Sequence, residues 1–70
     1  MDIIDLFANN LKHYRLLAGL SQEKLAERAG LHRTYVGLIE QSKRNVTLDC
    51  IGKLAKALSI SPARLFEEIN

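Results

Sequence analysis

The segment SQEKLAERAGLHRTYVGLIEQ, residues 21–41, carries the pattern that determines the fold. Ser21 offers a hydroxyl that caps a helix, and apolar residues including Ala26 follow at helical spacing. Gly30 ends this helix, because glycine adopts the left-handed backbone conformation at little cost. A second helical pattern follows almost at once, with inner positions at Val36 and Ile39. The segment therefore predicts two short helices joined by a tight turn.

Two short helices joined by a glycine-containing turn of about three to four residues form a helix-turn-helix arrangement. Ala26 lies where the two helices are expected to cross, and a larger side chain there would push them apart. Val36 and Ile39 anchor the second helix from below, which leaves its opposite face free. We expect this second helix, the recognition helix, to begin with residues 32–35, His-Arg-Thr-Tyr. Such a cationic, hydrogen-bonding first turn is typical of a helix that enters the major groove of DNA.

Apolar spacing predicts a helix on each side of this segment. Residues 3–18 carry apolar side chains in steps of three and four, and Gly19 ends that stripe. Thr47 is placed to cap a fourth helix. The inner positions of the fourth helix are Leu48, Ile51, Leu54, Ala55 and Leu58.

A short last helix completes the pattern. Ser61 and Pro62 supply a cap and a proline at the first helical position, and the helix is expected to run over about residues 62–69. The expected fold class is therefore all-α, with five helices around one core. We expect a single domain that comprises residues 1–70.

Composition excludes several classes of protein. The 70 residues are 47% hydrophobic and 26% charged, which is the balance of a globular domain and not of a disordered chain. One cysteine and two histidines provide neither an intramolecular disulfide nor a zinc-ligand set. No apolar run approaches the ~20 residues of a membrane span, and the acidic start Met1-Asp2 is no signal peptide. We expect a cytoplasmic protein without cofactor, metal or evident small-molecule ligand.

The helix-turn-helix segment resembles a known family. It is similar to the lambda repressor/Cro-like, or XRE-type, helix-turn-helix proteins in the runs Ser21–Ala26, Gly30–Leu31, Arg33–Val36 and Ile39–Glu40. The similarity extends to Arg15 in the first helix and to residues 47–58 in the fourth. Residues 33–45 are also similar to the small controller proteins of restriction–modification systems. The resemblance implies a dimeric transcription regulator that binds double-stranded DNA.

Four residues at the start of the recognition helix are candidates for base reading. Arg33 carries a forked set of donors that matches guanine O6 and N7, and Thr34 can donate or accept at a base edge. His32 either contacts DNA or caps the helix. Tyr35 either reaches the DNA or packs against the core. Gly37 offers no side chain where the family often has a polar reader, so base reading is expected to depend on the first turn.

Other residues are expected to bind the DNA backbone or to support the scaffold. By the resemblance, Gln22 matches a phosphate-contacting glutamine at a helix N-terminus, a position that favours an anion. The loop residues expected to face a phosphate strand are Lys43, Arg44 and Asn45. An ordinary solvated surface is the alternative for these positions. The resemblance also implies a partly buried ion pair between Arg15 and Glu40, and Ser42 stands where the family commonly has glycine.

The last part of the chain is the expected dimer interface, because its apolar side chains exceed what a small core absorbs. These residues are Pro62, Leu65, Phe66 and Ile69. Phe66 either faces the second chain or belongs to the core of the monomer. A homodimer would read a pseudo-palindromic operator whose half-site centres lie about one DNA turn (~34 Å) or a multiple apart. The alternative function is an antitoxin or adaptor whose terminal helix mainly binds another protein. An enzyme is not expected, for want of catalytic groups and of a substrate cavity.

Overall fold

The computed structural model describes residues 2–69 and places them in four α-helices followed by a 3₁₀ helix. The α-helices are α1 (Ile3–Leu17), α2 (Gln22–Ala29), α3 (Tyr35–Glu40) and α4 (Leu48–Leu58), and the 3₁₀ helix spans Pro62–Phe66. The predicted all-α fold class is confirmed. The helix-turn-helix consists of α2, the turn after it and α3.

Local signals in the sequence set most of the helix ends. The hydroxyl of Ser21 accepts a hydrogen bond from the backbone N–H of Lys24 at 3.0 Å, and Thr47 caps α4 in the same way. Gly30 ends α2 in the left-handed conformation with φ +71°. Ser42, which follows α3, also adopts a positive φ of 59° although it is not glycine.

The terminal helix differs from the prediction, because it is a 3₁₀ helix that ends at Phe66 instead of continuing to residue 69. Its end is fixed by Asn10, a fully buried residue of α1. The Asn10 side-chain amide donates 2.8 Å hydrogen bonds to the carbonyl oxygens of both Leu65 and Glu67. The bond to Leu65 engages a carbonyl that a longer helix would need, and the backbone is extended at Glu67.

One core lies between the helices. Its fully buried side chains come from every element and include Leu11, Leu25, Val36, Ile39, Leu54 and Leu65. Leu48, predicted to lie inside α4, is instead 87% exposed, because α4 begins there and its first residue extends beyond the core. Ile3 and Leu17 are exposed at the two ends of α1 for the same reason. No helix within residues 2–69 combines the length and apolar character that crossing a bilayer requires.

Candidate nucleic-acid interface

The turn between α2 and α3 holds the recognition helix on the core. The backbone N–H of Leu31 donates to the carbonyl of Ala26 at 2.9 Å, which closes the turn around Gly30. Ala26, Val36 and Ile39 are all buried beneath the motif. The opposite side of this segment therefore faces outward.

The recognition helix starts later than predicted. His32, Arg33 and Thr34 form an exposed turn before α3, which begins at Tyr35. The backbone N–H of Tyr35 donates to the carbonyl of His32 at 3.0 Å, so the turn is closed. Thr34 occupies the capping position, but its side chain makes no capping bond because it contacts His32 instead.

The contact between His32 and Thr34 determines what the turn offers to a ligand. His32 Nδ1 accepts the backbone N–H of Thr34 at 3.2 Å and lies 2.8 Å from Thr34 Oγ1. His32 Nδ1 therefore holds both the backbone and the hydroxyl of Thr34. The exposed edge of the turn presents the imidazole of His32 and the hydroxyl of Thr34. His32 thus stabilises the turn.

Exposed cationic and polar residues lie in this turn and in the loop after α3. Arg33 is exposed, as are the loop residues Lys43, Arg44 and Asn45. The Arg44 guanidinium carbon lies 5.9 Å from the centroid of the Tyr35 ring, in cation–π contact. Tyr35 is half-buried, with its ring against the core and next to Cys50. Burial raises the pKa of the Tyr35 hydroxyl, which therefore stays protonated at neutral pH.

An ion pair links the recognition helix to α1. Arg15 Nε donates to Glu40 Oε2 at 2.7 Å, and Arg15 Nη2 donates to Glu40 Oε1 at 3.1 Å. The two side chains are only 9% and 4% exposed. Gln22 is a third member that the sequence does not indicate, since its Nε2 donates to Glu40 Oε1 at 3.0 Å. Gln22 is exposed at the N-terminus of α2, and its amide is held over α3.

Three of the four residues predicted to form a dimer surface are exposed, and one is not. Pro62, Phe66 and Ile69 are exposed, whereas Leu65 is fully buried in the core of the monomer and cannot face a second chain. Leu65 faces inward because Asn10 holds its backbone against α1. Phe66 packs on Phe7 with ring centroids 5.3 Å apart. Both rings line a groove of about 260 Å³ that reaches Ile3 and Arg44.

The fold and this outward face define a helix-turn-helix protein. A family model described as "Helix-turn-helix" matches residues 11–65, and the chain belongs to this family. It is 52% identical over 65 residues to "Control protein C.SmaI" of Serratia marcescens, a match that covers 93% of this chain and 77% of the relative. Relatives of this kind are named as control proteins and as HTH-type transcriptional regulators.

Solved structures agree with the sequence relatives. The restriction–modification controller protein C.AhdI of Aeromonas hydrophila matches with a TM-score of 0.87 at 49% identity, over 90% of this chain and 96% of that protein. The hypothetical transcription factor NHTF of Neisseria matches with a TM-score of 0.91 at 38% identity. That match covers 94% of this chain and 76% of NHTF.

Proposed function

We propose that this helix-turn-helix DNA-binding regulator acts as a homodimer that reads a pseudo-palindromic operator and controls a restriction–modification system. The observation that carries the proposal is the exposed turn of residues 32–34, which is held by internal hydrogen bonds, precedes buried Val36 and adjoins the Tyr35–Arg44 contact. A purely structural helix has no need for an exposed polar edge of this kind. The similarity to C.SmaI and C.AhdI, which are named as control or controller proteins, supports the regulatory role.

The base-reading role falls on the turn and the start of α3. Arg33 donates in bidentate fashion to guanine O6 and N7, which present two acceptors in the major groove. The Thr34 hydroxyl bonds to a base edge, where it can donate or accept. His32 contacts a base or a phosphate through its exposed imidazole. Tyr35, whose hydroxyl lies next to Cys50, supports the same surface through its ring, which Arg44 contacts.

We assign binding of the DNA backbone to residues on the two sides of the turn of residues 32–34. Gln22 stands at the N-terminus of α2, where the helix dipole attracts a phosphate. The loop after α3 supplies Lys43, Arg44 and Asn45 to the other strand. Such contacts position the protein on the duplex and carry no base information directly.

The dimer interface in this proposal consists of Pro62, Phe66 and Ile69. Phe66 and Ile69 are 37% and 41% exposed, and Phe66 borders the groove next to Ile3. Covering these apolar side chains would bury surface that the monomer leaves in water. A two-fold axis through this face would present two recognition helices to half-sites about one DNA turn, ~34 Å, apart.

The test is a titration of labelled promoter fragments in the presence of excess random duplex, at low and at moderate salt. We expect one fragment to be bound in preference to the competitor, by a complex with two chains in sedimentation. Equal binding to all duplexes, or none, would contradict the proposal. A protein captured from the producing cells, without any preferred duplex, would favour the antitoxin or adaptor function instead.

A further inference from the structure

Gly37 lies in the middle of α3, on the side where the Gln22 side chain crosses from α2. A Cβ at position 37 would lie 3.0 Å from Gln22 Oε1 and 3.6 Å from Gln22 Cδ. The closer of these distances is tighter than nearly all real Cβ contacts, so a side chain at position 37 would force the Gln22 amide to move by a few tenths of an ångström. Gly37 has an ordinary helical backbone and needs no positive φ. The conformational freedom of glycine therefore does not explain its presence in this helix.

The amide that occupies this space has a fixed orientation. Gln22 Nε2 is 3.0 Å from Glu40 Oε1, and a carboxylate oxygen can only accept, so the nitrogen must face Glu40. Glu40 is itself held by two hydrogen bonds from Arg15, and Arg15 Nη1 is fixed by the carbonyl of Leu20 at 2.8 Å. Gln22 is thus the exposed end of a chain of bonds that begins in the core.

We propose that Gly37 is a positioning residue for DNA binding: its missing side chain lets Gln22 lie across α3 on Glu40, with its amide oriented before DNA arrives. The proposal rests on the phosphate-binding role proposed above for Gln22. The Gln22 nitrogen carries two protons, of which Glu40 takes one and the other remains for a phosphate oxygen. An amide already held in place loses less conformational entropy when it binds.

The hydrogen bonds to Glu40 also offset part of the negative charge that its carboxylate would present to the duplex. Its carboxylate accepts from Arg15 on both oxygens and from Gln22 on one, and its side chain is 4% exposed. Moving Gln22 would lengthen its bond to Glu40 and leave more of the negative charge of that carboxylate to repel phosphate. Both effects act in the same direction and weaken DNA binding.

The experiment compares Gly37→Ala with Gly52→Ala as a matched control, because a Cβ at Gly52 in α4 would meet nothing within 4 Å. Both substitutions replace a helical glycine by a better helix former. We expect Gly37→Ala to weaken binding to duplex DNA about three- to tenfold, the effect of one hydrogen bond, while Gly52→Ala leaves it unchanged. Wild-type affinity in Gly37→Ala would overturn the proposal.

A double-mutant cycle with Gln22→Ala separates positioning from direct obstruction of the DNA. We expect Gly37→Ala to cause no further loss once Gln22 is replaced, because its effect passes through that side chain. The same loss in the Gln22→Ala background would show that the new methyl group obstructs the duplex, and would overturn the proposal.

Nuclear magnetic resonance of the free protein tests, without DNA, whether Gly37 determines the position of the Gln22 side chain. We expect the side-chain amide resonances of Gln22, identified by their absence in Gln22→Ala, to shift in Gly37→Ala and to stay unchanged in Gly52→Ala. Unmoved resonances in Gly37→Ala would overturn the proposal. If the wild-type chain bound no duplex at all, the proposed function would fail, and this comparison would still decide whether Gly37 positions Gln22.

Discussion

Arg15 Nε lies 2.7 Å from Glu40 Oε2, and this ion pair joins the long first helix to the end of the recognition helix. Arg15 also donates to the carbonyl of Leu20 just before α2 begins. One guanidinium therefore connects three parts of the chain. The orientation of α3, and with it the outward turn of residues 32–34, depends on this connection.

Replacing Glu40 by Ala leaves the Arg15 guanidinium charged and nearly buried without its partner. We expect the free energy of unfolding in urea to fall by about 3–5 kcal/mol. The control is Glu27→Ala, which breaks the exposed pair between Lys24 and Glu27 and should cost less than about 1 kcal/mol. Similar small losses for both variants would show that the buried pair does not hold α3.

Ser42 adopts the left-handed conformation after α3, with φ +59°. A non-glycine residue pays about 1 kcal/mol for this conformation, so we expect Ser42→Gly to raise the free energy of unfolding by about that amount. Ser21→Gly serves as the control, because Ser21 has an extended backbone and caps α2. It should lower stability slightly. Destabilisation by Ser42→Gly in the same assay would show that the serine side chain contributes more than its backbone strain costs.

The buried thiol of Cys50 makes the stability of the fold depend on pH in the alkaline range. Burial raises the pKa of its thiol above the ordinary value of 9.0, so the folded chain keeps this proton to higher pH than the unfolded chain does. The unfolded state binds fewer protons in that window, and stability must fall as pH rises through about 9. We expect urea unfolding between about pH 8 and pH 9.5 to show a steeper decline for the wild type than for Cys50→Ala. Parallel declines would mean that Cys50 ionises equally in both states.

Arg44 combines a phosphate-binding position with cation–π contact to Tyr35. We expect Arg44→Ala to weaken binding to all duplexes and to reduce the slope of log affinity against log salt by about 0.9, because one fewer counterion is released. Fluorescence anisotropy over a series of salt concentrations measures both quantities. Arg28→Ala, which removes an exposed arginine from the last turn of α2, is the control for a general loss of charge. A loss confined to the specific operator would assign Arg44 to base reading.

Features that depend on neighbouring residues could be predicted from the sequence. Ser21 and Thr47 cap their helices, Gly30 ends α2, and the spacing of Val36 and Ile39 gives the buried side of α3. Each follows from the chemistry of a few consecutive residues.

Features that depend on distant contacts could not be predicted. The end of the 3₁₀ helix and the burial of Leu65 follow from Asn10, which lies 55 positions earlier in the chain. The bond from Gln22 to Glu40 depends on how α2 and α3 cross, and nothing in the spacing indicates it. The late start of α3 follows from the ring of His32, whose two possible roles the sequence could not separate.

Selection of bound duplexes from a random library tests the central claim most directly, because it measures specificity without assuming an operator. For the wild type we expect enrichment of a pseudo-palindrome with guanine at one position of each half-site. Arg33→Ala should bind it about 1–3 kcal/mol more weakly and lose the preference at that position alone. A wild-type selection without enrichment, or an Arg33→Ala variant that keeps every base preference, would contradict the account.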